Sequence, residues 1–162
     1  MIETGRAAPL YTEAERRRRD ASPWTLVQGI LAPVQFLVFL ASLGLVLRFF
    51  ATGEGAFAAS VSVVAKTGVL YAIMITGSLW ERDVFGRYLF APAFFWEDVV
   101  SMGVIALHTA YLAALVTGWL DTRGQLALAL AAYGAYVVNA AQFVIKFRAA
   151  RRTASTALAL AE

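Results

Sequence analysis

Four apolar runs, at about 24–50, 57–79, 97–119 and 125–147, constrain this chain more than any other feature. A helix needs roughly 20 mostly apolar residues to cross the hydrocarbon core of a bilayer, and each run meets that length. With 60% hydrophobic and 15% charged residues and a mean hydropathy of +0.65, the chain needs lipid as its solvent. The fold expected is all-α: a polytopic membrane protein built as a bundle of four transmembrane helices. Residues 1–22 form a basic N-terminal segment, 23–147 the transmembrane domain and 148–162 a tail. The run after Trp24 is too long for a signal-peptide core, and no small-residue cleavage pattern closes it.

Local signals agree with this division. Thr12 with Glu15 makes a capping-box pattern and starts a short polar helix. Ser22-Pro23 opens the first span, serine as cap and proline in the first turn. Thr52-Gly53-Glu54-Gly55 and Leu120-Asp121-Thr122-Arg123-Gly124 are turns too short for anything but antiparallel hairpins. Ala127, Ala131, Gly134 and Ala135 on the fourth span suit close helix packing in lipid. Orientation follows from the flanking charge. One side receives Arg6, Arg16 to Arg19, Arg82, Arg87, Arg148, Arg151 and Arg152, whereas Arg48 and Arg123 lie on the other. The positive-inside rule makes the first side cytoplasmic, with both termini and the central connection on it.

Composition also excludes chemistry. There is no cysteine and one histidine, which removes disulfides, thiolate metal centres, iron–sulfur clusters and bis-histidine haem. The net charge of +3 sits at membrane-flanking positions, so nucleic acid is not an expected partner. A proton-coupled transporter is disfavoured because no carboxylate lies at the centre of a span.

The connection Trp80 to Trp96 is the most unusual segment. Seven of its seventeen residues are aromatic: Trp80, Phe85, Tyr88, Phe90, Phe94, Phe95 and Trp96. It reads either as an interfacial aromatic belt or as a flat platform for a large planar ligand, rimmed by Glu81, Arg82, Asp83 and Arg87.

Polar residues within spans are expensive, and each is a candidate. Gln28 and Gln35 share one face of the first span; Asn139, Gln142 and Lys146 share one face of the fourth. They serve as interhelical hydrogen bonds or as a site. Together with Glu97 and Asp98 at the start of the third span, Gln28, Gln35, Asn139 and Gln142 fall in the cytoplasmic half. The two acids also have an ordinary explanation, as favourable charges at a helix start. His108 and Lys66 lie deeper, near the middle of their spans. The histidine suits packing, axial ligation of a metal carried by a ligand, or proton transfer; the lysine should be neutral or paired.

Leu10-Tyr11-Thr12, Ser22-Pro23-Trp24-Thr25-Leu26-Val27-Gln28-Gly29, Leu31-Ala32-Pro33-Val34-Gln35-Phe36, Leu89-Phe90-Ala91-Pro92-Ala93-Phe94-Phe95-Trp96-Glu97-Asp98 and Val104-Ile105-Ala106-Leu107-His108-Thr109 resemble the 3-vinyl bacteriochlorophyllide hydratase family of photosynthetic bacteria. The likeness covers about residues 10 to 150. It implies a hydro-lyase of bacteriochlorophyll biosynthesis that adds water to the C3 vinyl group of chlorophyllide a or its bacteriochlorin counterpart, giving the 1-hydroxyethyl group. It also implies an inner or intracytoplasmic membrane location. No cofactor is expected, because the substrate carries its own magnesium and hydration requires no redox partner.

On that reading Glu97 or Asp98 supplies the proton, Glu97 being preferred. Glu97 and His108 lie eleven residues apart, hence on one helix face within about 20°. His108, Gln28, Gln35, Lys66, Phe94, Phe95, Trp96, Asn139 and Gln142 are the substrate-binding candidates, His108 as the axial ligand to the substrate's magnesium. The protein itself is expected to hold no metal. Lipid, other enzymes of the pathway or a second copy of the chain are the remaining expected partners. The alternative is a pigment-binding or assembly protein of the photosynthetic membrane that leaves the vinyl group unchanged.

Overall fold

The computed structural model describes residues 9–159. Arg6, the rest of residues 1–8 and residues 160–162, all assigned above to terminal segments, lie outside the described residues. Five helices follow one another: α1 (Glu13–Ala21), α2 (Pro23–Thr52), α3 (Ala56–Phe85), α4 (Phe95–Thr117) and α5 (Thr122–Ala159). Among the described residues there is no strand. Helices α2 and α3 form one antiparallel hairpin and α4 and α5 another, and the two pack side by side.

The caps are those the sequence signals. The Thr12 N–H donates to Glu15 Oε2 at 2.7 Å and the Glu15 N–H to Thr12 Oγ1 at 3.2 Å, closing the capping box of α1. Ser22 Oγ caps α2 by accepting from the Trp24 N–H at 3.3 Å, and it donates to Asp83 Oδ2 at 2.7 Å. With Arg18 Nε donating to the Val84 carbonyl at 2.8 Å, α1 is tied to the far end of α3. The α2–α3 turn relies on Gly53 at φ +77° and Gly55 at φ +80°, left-handed positions where a side chain would be strained.

Two helices run beyond the expected spans. Helix α3 continues through Trp80–Phe85 and stops at Gly86, and α5 continues through Arg148 to Ala159. Charged residues end a hydropathy run, but they do not end a helix. The aromatic connection therefore contributes its first six and last two residues to helices, leaving 86–94 as loop.

Four helices are long and apolar enough to cross a membrane, and only 22–28% of each apolar window is buried inside the protein. The remainder, including Phe57 at 83% and Val116 at 85% exposure, requires lipid contact. The inward faces meet in a core of Phe39, Val46, Val63, Leu70, Val104, Tyr111, Leu126, Ala129, Tyr133 and Tyr136. Helix α5 packs through Ala129 and Ala132, whereas Ala127, Ala131 and Gly134 are exposed. Of the small-residue stripe expected at the helix contact, only Ala135 packs against the core: an Ala-rich helix offers small residues on every side, and the large apolar residues decide which side turns in.

A second cluster closes the end of the bundle that carries the arginines, called here the basic end. Tyr11, Trp80, Phe85, Phe94 and Phe143 interlock with ring centroids 5.7 to 6.5 Å apart. Burial pushes the Tyr11 phenol up to about 12, so this ring stays neutral.

Candidate functional site

The polar side chains of the spans gather in two layers. At the basic end, the last turns of α3 bring Glu81 against Asp98 in the first turn of α4, both nearly inaccessible. Their carboxyl groups face each other across the α3–α4 contact. Two carboxyl groups placed this close and away from water favour holding one proton between them, because two full negative charges there repel. Each carboxyl also holds the loop: Asp98 Oδ2 accepts from the Phe90 N–H at 2.7 Å and Glu81 Oε2 from the Ala91 N–H at 3.2 Å. Phe90 sits at φ +59°, a strained position for an aromatic residue that is sustained by these contacts.

Glu97, one residue earlier, points elsewhere. Its Oε2 accepts from Lys146 Nζ of α5 at 2.5 Å, and Lys146 also donates to the Ala93 carbonyl and lies 5.0 Å from the Phe94 ring centre. Asn139 braces the same junction, donating to the Glu97 carbonyl at 2.9 Å and accepting from Ser101 at 3.2 Å. Gln28 joins α2 to α3 through Thr76 Oγ1 at 2.6 Å and the Ile73 carbonyl at 3.2 Å. Gln142 keeps a buried Oε1 with no partner.

The second layer lies deeper. Asp98 and His108 are ten residues apart on α4, about 15 Å along the axis. His108 is fully buried, its ring 5.9 Å from that of Tyr133. Its Nδ1 lies 2.8 Å from the Val104 carbonyl while Nε2 has no partner. A carbonyl only accepts, so Nδ1 carries the hydrogen and Nε2 presents its lone pair. Lys66 is also fully buried, with Nζ 3.9 Å above the centre of the Tyr136 ring and no hydrogen bond. Gln35, one turn before Phe39 on the face of α2 that packs against Tyr133 and Tyr136, has an unpartnered Oε1. Tyr133 anchors the layer to α2 and α3 by its 2.5 Å bond to Ser42, itself 2.7 Å from Ser62.

The expected residues thus divide. Gln35, Lys66 and His108 come together around the two tyrosines. Glu97, Asp98, Asn139 and Gln142 share the basic end, while Gln28 is spent on helix contact. Phe94 is enclosed in the aromatic cluster, and Phe95 and Trp96 are exposed on the outside. Glu81, read from sequence as part of a rim, and Tyr133 and Tyr136 are the additions. The tyrosines carried a signal: Tyr136 lies one turn before Asn139 on α5, and Tyr133 one turn before Tyr136. Among the described residues no group of three or more His, Asp or Glu side chains is arranged to hold a metal ion.

Residues 11–149 match the family described as 2-vinyl bacteriochlorophyllide hydratase; the substituent counted above as position 3 is position 2 in that description. A protein of that description from Cereibacter sphaeroides is 64% identical over 155 residues, covering 93% of this chain and 96% of the relative. One from Rhodobacter capsulatus is 65% identical over 147 residues, covering 91% and 85% respectively. No solved structure matches the chain.

Proposed function

The chain belongs to the 2-vinyl bacteriochlorophyllide hydratase family, and from that premise we propose how its polar layers hydrate a vinyl group. The activity is that of a hydro-lyase of bacteriochlorophyll biosynthesis. Hydration of an alkene needs a proton at the outer vinyl carbon, relief of the positive charge this leaves on the inner carbon, and a water to attack there. The macrocycle spreads the charge. The observation that carries the rest is the buried Glu81–Asp98 pair, whose carboxyl groups also hold the loop: a protonated carboxyl is a suitable general acid, and its twin keeps that proton in place. When water adds to the inner carbon, the proton it loses returns to the carboxylate, restoring the pair. Gln142 Oε1, unpartnered at the same end of the bundle, is the amide acceptor available to orient the water.

Cells lacking the chain should accumulate pigment that retains the vinyl group. Loss of a pigment-binding scaffold would instead reduce pigment quantity and leave the hydroxyethyl group in place, which would overturn the catalytic reading.

The tautomer of His108 suits the magnesium that the substrate carries, since Nδ1 is fixed by the Val104 carbonyl and Nε2 is available as a ligand. His108→Phe is expected to weaken binding of magnesium pigment by tenfold or more, the scale of losing a ligand-orienting contact, while metal-free pigment binds nearly as before. Equal losses for both would make His108 a packing residue.

The arginine distribution supports placing the basic end on the cytoplasmic side of the inner membrane. Cysteines introduced at Arg17 and Arg87 should then label from the cytoplasm and one at Glu54 from the periplasm. Labelling of Arg87 and Glu54 positions from the same side would contradict the four-span topology.

A further inference from the structure

Among the described residues Lys66 has no counter-ion. Its Nζ is fully buried without a hydrogen bond, and no Asp or Glu occurs at 23–53, 56–80, 99–120 or 122–153. The acids nearest on its own chain segment, Glu54 and Glu81, lie twelve and fifteen residues away, about 18 and 22 Å along a helix axis. The face of Tyr136 beneath it offsets only part of the cost of desolvating an ammonium. Two further polar atoms of this layer, His108 Nε2 and Gln35 Oε1, are likewise buried and unpartnered, and His108 lies beside Tyr133, one turn of α5 from the Tyr136 ring under Lys66. Among the described residues no acid reaches this position, so an anion paired with the lysine comes from elsewhere. At the middle of a span it cannot be a lipid head group, which stays at the interface, nor a hydrated inorganic ion. It has to arrive attached to an apolar body that partitions between the two hairpins.

We propose that Lys66 anchors the free carboxylate of the tetrapyrrole substrate, so that the protein selects the carboxylic acid over its esterified form. The proposal rests on the hydratase reading for the identity of the ligand. A chlorophyllide carries a free carboxylate where a chlorophyll carries an ester, and this is the group that meets Lys66 while the magnesium meets the neighbouring His108. The lysine thus sets which member of a series of otherwise similar pigments enters, and it fixes the rotation of a nearly symmetrical disc.

The test compares a vinyl chlorophyllide with its methyl ester, binding to purified full-length protein in detergent being followed by pigment absorbance. Wild type should bind the acid about tenfold or more tighter than the ester, the scale of one charge-assisted hydrogen bond. Lys66→Met should bind both with the affinity that wild type shows for the ester, and Lys66→Arg should restore part of the preference. Equal affinities in wild type, or an undiminished preference in Lys66→Met, would overturn the proposal. The wild-type comparison decides even if a variant fails to fold. Mass analysis of the same samples separates the two readings: preference for the acid without hydration of either pigment removes the hydratase reading alone, and hydration of both pigments without preference removes only the anchor.

Discussion

Asp98→Asn should abolish measurable hydration while leaving substrate binding nearly intact, a loss on the scale of 10²- to 10⁴-fold for removal of a general acid. Asparagine matches aspartate in size, and its Oδ1 can still accept from the Phe90 N–H that now bonds to Asp98. It cannot release a proton to carbon. Glu81→Gln should act in the same direction, because the two carboxyl groups face each other and the proton depends on both. Glu97→Gln leaves that pair in place, so its effect on turnover should be much the smaller. Activity near wild type in Asp98→Asn, with loss confined to Glu97→Gln, would transfer the role to Glu97.

A second large effect concerns stability. Glu97 is buried and its partner Lys146 mostly so, their side chains 8% and 27% exposed. Removing one member of such a pair strands the other charge, at a cost of about 3 kcal/mol. Lys146→Met should therefore lower the unfolding temperature in detergent sharply. The double variant Lys146→Met/Glu97→Gln removes both charges and should regain most of the loss. A double variant no more stable than Lys146→Met alone would show that Lys146 acts through its contacts with the Ala93 carbonyl and the Phe94 ring, not through the ion pair.

The spans, their caps and the hairpin turns were legible because hydropathy, Ser22-Pro23 and the paired glycines act locally. The inward side of α5 was not, since its alanines occur on all faces and the burial of Ala129 and Ala132 follows from where Leu126 and Tyr133 pack. The site was half legible. Polarity inside an apolar run marks Gln35, Lys66, His108 and Asn139 on composition alone. Their partners depend on helix rotation: Glu97 and Asp98 are adjacent, and about 100° of helix turn sends one to Lys146 and the other to Glu81. Glu81 was legible only as part of a rim because the hydropathy run ends before it, although the helix does not.

Water added to a vinyl group through the Glu81–Asp98 pair leaves its oxygen in the product. Purified protein incubated with a vinyl chlorophyllide in heavy-oxygen water tests this most directly. One heavy oxygen should enter each product molecule as a 1-hydroxyethyl group with wild type and not with Asp98→Asn. Pigment recovered from wild type with its vinyl group intact, although bound, would contradict the account.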